Sequence, residues 1–208
     1  MSDPRTDDRD AAAPAGGGGG SAYDRLIGLL EAGGARYRLI DHEPEGRTDL
    51  VSAMRGNDPA QAAKCIVVMV KLDKKTRRHV LAVVPGDRRV DLGAVKRLLG
   101  GGYAGFASAE TAERLAGSVS GTILPFSFHP DLELVADPAL LEHAEIFFNA
   151  ARLDRSMALD TADYRRLARP RLAAIAQPPA APAAGSANGS AGGSAGGPAG
   201  GSRDGQRA

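Results

Sequence analysis

The sequence predicts an α/β (α+β) fold, in which a single mixed β-sheet has helices packed around it. Apolar residues follow helical spacing in some segments and form β-branched runs in others. Two of the predicted strands form a hairpin while other strands are separated by helices, so the pattern is not a plain βαβ repeat. Residues 22–176 amount to roughly 155 residues, the size of one domain with a single core.

Side chains that accept hydrogen bonds mark the predicted helix starts. Ser21 is followed by Asp24, and Asp58 by Gln61, at the spacing of a capping box. Glycine or proline then ends most of these helices, as at 33–34, 100–102 and 170. The predicted helices or helical turns begin at Ser21, Thr48, Asp58, Asp91, Ser108, Asp137 and Thr161.

Short runs rich in Val, Ile, Leu and Phe predict the strands. Residues 65–72 and 79–84 are joined across the polar segment 73–76, which predicts a hairpin in the core of the sheet. The complete set of predicted strands is 37–40, 65–72, 79–84, 132–136, 145–149 and 156–160.

Both ends of the chain differ from this domain in composition. Residues 1–21 are rich in Asp and Arg and contain five consecutive glycines at 16–20, and residues 177–208 are almost entirely Ala, Gly, Ser and Pro. Neither segment buries enough apolar surface to offset its ordering entropy, so both are predicted to be disordered tails. We expect no secretory signal, no membrane span and a cytoplasmic location. The single Cys65 excludes an internal disulfide and, inside an apolar strand, is expected to be an inert thiol.

Positive charge is concentrated on the predicted hairpin, although the whole chain is nearly balanced with 26 Lys+Arg and 25 Asp+Glu. Such a cluster forms either a solvated hairpin tip or, with a phosphate-bearing substrate, a docking surface. The residues concerned are Lys71, Lys74, Lys75, Arg77 and Arg78.

Several kinds of chemistry are not supported by the motifs. The four histidines lack metal-ligand spacing and one cysteine cannot form a thiolate cluster, so no metal is expected. No nucleotide-binding fingerprint is present, and no cofactor is expected. The segment 117–121 resembles a nucleophile elbow, but its serine is one place late.

A lysine and a glycine/proline loop remain as the candidate site. Lys64 begins the apolar run 65–70, and Gly121 and Pro125 lie in the segment 117–126. Glycine lets main-chain amides approach a ligand closely, and proline stiffens the loop. Together these groups can hold a carbonyl oxygen.

These residues, with the markers around them, resemble the YbaK/EbsC family, the editing domain associated with prolyl-tRNA synthetase. The resemblance extends from about His42 to Leu167. Its markers are Ala63–Lys64 before an apolar strand, Val83 to Pro85 ending the hairpin, Val90 to Leu92 opening a helix, the spacing Gly117, Gly121, Pro125, Phe126, and Asp137 after the following strand.

The resemblance implies a YbaK-like fold and a hydrolase that clips wrongly attached amino acids from the 3′ end of tRNA. Catalysis would use Lys64, Gly121 and Pro125, with water assisted by a ribose hydroxyl of the substrate. A pocket lined by Met54, Ile66, Ile123 and Phe126 suits a small amino acid. The substrate-binding residues taken together are His42, Met54, Ile66, Gly117, Thr122, Ile123, Leu124, Phe126 and His129. Two segments differ from the family pattern, 126–130 and Asn149 to Ala151, where many relatives have Ser-Ala-Gly.

Three functions stay open on the sequence alone. The first is a deacylase of misacylated tRNA that acts in trans, with an aminoacyl-tRNA synthetase of the prolyl type as a partner and no membrane or DNA partner. The second is a non-catalytic tRNA- or synthetase-binding module of the same fold. The third is a hydrolase of a small free ester or amide.

Overall fold

Helices and strands alternate along residues 20–178, the part of the chain that this computed structural model describes. The α-helices in this part are Ala22–Ala32 (α1), Thr48–Arg55 (α2), Leu92–Leu98 (α3), Ala109–Ala116 (α4) and Thr161–Ala168 (α5). The strands are Tyr37–Asp41 (β1), Ala63–Lys71 (β2), Arg77–Pro85 (β3), Tyr103–Phe106 (β4), Leu132–Ala136 (β5), Glu145–Asn149 (β6), Arg155–Asp160 (β7) and Arg171–Leu172 (β8). Short 3₁₀ helices cover Pro59–Gln61 and Pro138–Glu142.

The predicted mixed α/β class is confirmed, but the prediction of a single sheet is wrong. The strands form a five-stranded sheet in the order β4-β2-β3-β5-β8 and a three-stranded sheet in the order β1-β7-β6. The two sheets are joined by one isolated bridge between Ala62 and Phe147. β2 already pairs with β3 along its whole length and with β4 over its second half, so only its first residues are free to meet β6.

Most predicted helix starts carry the expected cap. Ser21 with Asp24, and Asp58 with Gln61, both form complete capping boxes. The prediction that Thr48 and Thr161 are caps is wrong, since each is the first helical residue. Arg47 precedes α2 without a side-chain cap, and Asp160 caps α5 by accepting from the amides of Ala162 and Asp163.

Two short strands were not predicted. β4 is only four residues long and contains Gly105, and β8 has two residues, so neither shows an apolar periodicity. Each adds to an edge of the five-stranded sheet: β4 pairs antiparallel with β2, and β8 pairs parallel with β5.

The five-stranded sheet is apolar on both faces. On one face, Val67, Leu81 and Val83 belong to a core shared with α1, α4, α5 and the three-stranded sheet. On the other face, Val68 and Val80 belong to a second core, with Val95 of α3 and Ile175. Burial on both sides explains why β2 and β3 are continuous β-branched runs in the sequence.

The carboxylate of Asp137 ties the end of the domain to this sheet. Its Oδ2 accepts from the amides of Ile175 at 2.8 Å and Ala176 at 2.7 Å, while Oδ1 accepts from Ala139 at 2.9 Å. Asp137 is therefore a structural cap, as its Asp-Pro sequence suggests. Gln177, predicted to belong to the tail, donates its amide to Arg89 O at 2.7 Å. The rest of the predicted tails, residues 1–19 and 179–208, lies outside the described residues.

Candidate active site

Lys64 is held in place by main-chain carbonyls. It is the second residue of β2, directly after the 3₁₀ helix Pro59–Gln61. Its Nζ donates to Gly86 O at 2.7 Å and to Arg88 O at 2.9 Å, both in the turn that follows β3. An ammonium has three N–H donors, so one remains for a further acceptor.

The environment of Lys64 lowers its pKa below the ordinary lysine value. Burial is the main cause, because it removes water from the ammonium. The charges of Asp87 and Asp49 act in the opposite direction, and Arg89 lowers the pKa a little further. The two accepting carbonyls favour the protonated form, so Lys64 presents a localised positive charge with one unused donor.

Gly86 is a residue of this site to which the sequence patterns assign no role. A Cβ at this position would lie 2.6 Å from Pro59 O and 2.7 Å from Thr48 Cγ2. Any larger residue would therefore have to displace the turn that anchors Lys64. The signal in the sequence is Gly86 after Pro85, which marks only a turn.

Gly121 requires its glycine for two reasons. Its φ is +87°, in the left-handed region, and a Cβ would lie 2.9 Å from the Cα of Gly46. The segments around Gly46 and Gly121 thus touch backbone to backbone. Among residues 20–178, the amides of Gly121 and Ile123 have no hydrogen-bond partner, whereas Thr122 donates to Val119 O.

A cleft of about 390 Å³ contains both Lys64 and Gly121. The start of α2 forms one wall, and its first-turn amides have no side-chain cap. The lining residues are Gly46, Arg47, Thr48, Asp49, Val51, Arg55, Ala62, Ala63, Lys64, Cys65, Ile66, Gly86, Gly121, Ile123, Phe147, Phe148 and Asn149.

Arg55 adds a further positive charge to this cleft, which Lys64 and Arg47 also line. Its guanidinium donates to Asn57 Oδ1, Ser156 Oγ and Ser52 Oγ, and lies 5.9 Å from the ring centre of Phe147. Within residues 20–178 it forms no ion pair. Burial without such a pair lowers its pKa to about 10. The cleft is therefore suited to a substrate with oxygen atoms that accept hydrogen bonds.

Four of the residues predicted from the sequence meet in the cleft: Lys64, Gly121, Ile66 and Ile123. Cys65 also reaches it, but burial raises the pKa of its thiol, which agrees with an inert group. The predicted residues that do not line this cleft are His42, Met54, Gly117, Thr122, Leu124, Pro125, Phe126 and His129.

Side-chain direction explains why much of the 121–126 loop misses the cleft. Ile123 points into the cleft, whereas Leu124 and Phe126 are buried in the core, where the ring of Phe126 packs edge-on at 5.4 Å from that of Tyr164. Thr122 is also buried, and its hydroxyl donates to Val119 O at 2.8 Å. Pro125 is buried as well, so any effect on the reaction is through the loop backbone.

The other four predicted residues that do not line the cleft have local roles. Met54 is half exposed on α2, and Gly117 ends α4 with φ +70°. His129 Nδ1 accepts from the amide of Asp131 at 3.1 Å. His42 Nε2 lies 2.6 Å from Ser156 Oγ. None of these contacts was visible from sequence spacing.

The basic hairpin lies at the far end of β2 and β3 from the cleft. Lys64 pairs with Val84, and Lys71 with Arg77, so the two ends are about 23 Å apart at roughly 3.3 Å per residue. Lys71 lies over the ring of Tyr103 and Arg78 pairs with Glu133. Lys74, Lys75 and Arg77 are exposed.

Comparisons with known proteins agree with this arrangement. Residues 42–167 match the model of the aminoacyl-tRNA editing domain family. The chain is 45% identical over 155 residues to the multifunctional Ser/Thr-tRNA deacylase ProXp-y of Escherichia coli (strain K12), covering 74% of this chain and 92% of that protein. The chain belongs to the aminoacyl-tRNA editing domain family.

Solved structures support the same fold. A crystal structure of a hypothetical protein superposes with a TM-score of 0.65 at 21% identity, covering 74% of this chain and 99% of the other. A protein described as a possible trans-editing enzyme for prolyl-tRNA synthetase gives a TM-score of 0.63 at 22% identity, covering 76% of this chain and 98% of the other. At this identity, the likeness concerns the fold.

The predicted class of enzyme is therefore confirmed: the domain is an editing hydrolase that deacylates misacylated tRNA. No helix within residues 20–178 is long and apolar enough to cross a membrane. The roles of individual residues, the absence of a metal or cofactor in the reaction, and the cytoplasmic location stay predictions.

Proposed function

We propose that this chain hydrolyses the ester of tRNA wrongly charged with serine or threonine, using Lys64 and the Gly121 loop to bind the acyl group. The observation that carries the proposal is the meeting in one cleft of Lys64, which uses two of its three N–H donors, and Gly121, whose amide has no hydrogen-bond partner within residues 20–178. The 45% identity to a Ser/Thr-tRNA deacylase supports the choice of amino acids.

The reaction needs little beyond positioning and charge. Water adds to the acyl carbon and the carbonyl oxygen becomes negatively charged. The Lys64 ammonium and the loop amides donate to that oxygen, and removing one such donor typically slows a reaction by about 10²- to 10³-fold. The bond to the ribose oxygen then breaks, the ribose oxygen receives a proton, and the free amino acid leaves. A neighbouring ribose hydroxyl, as the family resemblance implies, assists the attack by water.

Polar groups on the α2 wall favour a small side chain with a hydroxyl. Thr48, Asp49 and Arg55 all line the cleft and offer donors and acceptors. A site with groups that pair with a substrate hydroxyl rejects an analogue that lacks it by up to about 10⁴- to 10⁵-fold. We therefore expect Ser- and Thr-tRNA to be cleaved faster than Ala-tRNA.

The test is deacylation of tRNAs charged with serine, threonine and alanine. Lys64→Ala should lower kcat/KM by on the order of 100-fold or more, because it removes a donor to the developing oxyanion. Lys96→Ala, which removes a cation from the last turn of α3 outside the cleft, is the matched control and should retain activity. Full activity of Lys64→Ala on the preferred substrate would contradict the proposal.

Other outcomes identify the alternatives. Binding of tRNA without turnover of any charged tRNA would indicate a binding module. Cleavage of small esters with a rate independent of salt would indicate a hydrolase that does not use nucleic acid, since phosphate contacts make binding salt-dependent. Adding a prolyl-type synthetase to the same assay tests that predicted partner.

A further inference from the structure

The amide of Asn149 joins the two loops that form one side of the cleft. Asn149 ends β6 and is 9% exposed. Its Nδ2 donates to Glu45 O at 2.9 Å and to Gly121 O at 2.9 Å. Because a carbonyl can only accept, both acceptors require the NH₂ group of the amide on this side, which sets its orientation.

Ser156 completes the hydrogen bonds of this amide from the neighbouring strand. It is paired with Asn149 in the β6–β7 register and is fully buried. Its hydroxyl donates to Asn149 Oδ1 at 2.9 Å. The hydroxyl has two further polar neighbours, His42 Nε2 at 2.6 Å and Arg55 Nη1, which donates to it at 3.2 Å.

The two carbonyls held by Asn149 flank the backbone contact between Gly46 and Gly121. Glu45 precedes Gly46, and a Cβ on Gly46 would lie 3.4 Å from the Cα of Gly121. The Gly121 carbonyl is thus held by Asn149 and the Gly121 Cα packs against Gly46, so residue 121 is fixed from two sides, while its amide has no hydrogen-bond partner within residues 20–178. Losing the Asn149 bonds would release both loops without removing any group that touches the acyl oxygen.

We infer that Asn149 is a positioning residue, which fixes the Gly121 loop against the Glu45–Gly46 segment, and that Ser156 acts through it by orienting its side chain. The inference deepens the proposed function, because it depends on the Gly121 loop as part of the ester site. A displacement of about 1 Å at a reacting group can slow a reaction by roughly 100-fold, so the effect on the rate should be large.

Four variants, Asn149→Asp, Asn149→Ala, Ser156→Ala and the double alanine variant, test the inference in steady-state deacylation of the preferred charged tRNA. Asn149→Asp keeps the shape but loses both donors, and it should lower kcat by about 10- to 100-fold with KM changed less than about threefold. Ser156→Ala should give a smaller fall in kcat. The double variant Asn149→Ala/Ser156→Ala should be no slower than Asn149→Ala alone, since residues that act through one another are not additive.

Ser127→Ala is the matched control. It removes a partly buried hydroxyl that donates to Leu132 O at 2.6 Å, just beyond the same loop and away from the cleft. It should leave kcat within about twofold of the wild-type value, while its effect on thermal stability should be similar to that of Ser156→Ala. The inference would be overturned if the fold reductions in kcat of the Asn149 and Ser156 variants multiplied in the double variant. A rise in KM without a fall in kcat would also overturn it.

A readout independent of activity separates this inference from the proposed function. In ¹H–¹⁵N NMR spectra, Ser156→Ala and Asn149→Asp should shift the amide signals of Gly46 and Gly121, and Ser127→Ala should leave those two signals in place. An inactive wild-type protein with these shifts would refute the proposed function alone. Unchanged Gly121 signals in both variants would refute the positioning role.

Discussion

Lys64 carries a positive charge in a partly buried position. Partial burial lowers its pKa, yet its ammonium donates to two carbonyls that favour the protonated form. Groups held in this way need no reorganisation when negative charge develops nearby, which is the main advantage of a preorganised site. The same two carbonyls also restrict Lys64 to one position beside the cleft.

Replacing Gly121 should affect activity more than a typical exposed substitution. Gly121→Ala adds a Cβ at φ +87° and 2.9 Å from Gly46 Cα, so the loop must move. We expect a loss of stability of about 1–3 kcal/mol and at least a tenfold lower kcat/KM. Thermal denaturation and the deacylation assay measure the two effects.

Gly28→Ala provides the comparison within the same chain. Gly28 lies in the middle of α1, and a Cβ there would meet nothing within 4 Å. Alanine should stabilise the helix by about 0.5–1 kcal/mol without changing deacylation. Equal activity of the Gly121 and Gly28 variants would show that the left-handed backbone at residue 121 is not needed.

Among the elements, the 3₁₀ helix Pro59–Gln61 matters most for the site. Its capping box and first-position proline are recognisable in the sequence, and it leads directly to β2. The capping box holds the start of this helix and thereby sets where β2 begins. Lys64 consequently lies opposite Val84, beside the turn that contains Gly86. An ordinary capping signal thereby determines the position of the main cation.

The start of α5 offers a direct test of which residue caps it. Asp160 accepts from two amides, whereas the buried Thr161 hydroxyl has no partner within the described residues. Asp160→Ala should lower the free energy of unfolding by about 1 kcal/mol. Thr161→Val should be neutral or stabilising, because it replaces an unpaired hydroxyl with a methyl group of similar size. Chemical denaturation of both variants measures the two free energies of unfolding. A larger loss of stability in Thr161→Val than in Asp160→Ala would show that Thr161 is the cap.

In the molecule as a whole, the tRNA must reach a cleft at one end of the five-stranded sheet while the basic hairpin lies at the other end. The hairpin was predicted to bind tRNA, and its exposed cations Lys74, Lys75 and Arg77 are free of ion pairs within residues 20–178. The two ends are about 23 Å apart, and we expect the substrate to span this distance when its 3′ end enters the cleft.

Salt dependence tests this wider interface. Changing Lys74, Lys75 and Arg77 to alanine should weaken tRNA binding and reduce the slope of log affinity against log salt by about 2–3, at roughly 0.7–0.9 for each phosphate that is no longer neutralised. Turnover of bound substrate should be retained, because these residues are outside the cleft. Filter binding at several salt concentrations gives the slope, and an unchanged slope would exclude the hairpin from the interface.

Local signals in the sequence were sufficient for the elements and for part of the site. Capping boxes, the β-branched hairpin and the Gly121 spacing predicted where helices, strands and a special loop occur, because each depends on neighbours a few residues apart. They also singled out Lys64. They did not reveal β4 or β8, which depend on pairing with strands distant in the chain.

The division into two sheets and the surroundings of Lys64 depend on contacts between distant segments. Gly86 and Arg88 reach Lys64 through strand pairing, Gly46 meets Gly121 through packing, and Asn149 joins both loops over separations of 104 and 28 residues. No periodicity or spacing encodes such contacts, because they arise only when the burial of two apolar faces brings the ends of β2 and β6 together. The residue types of the site were readable from the chain, whereas their partners followed from folding.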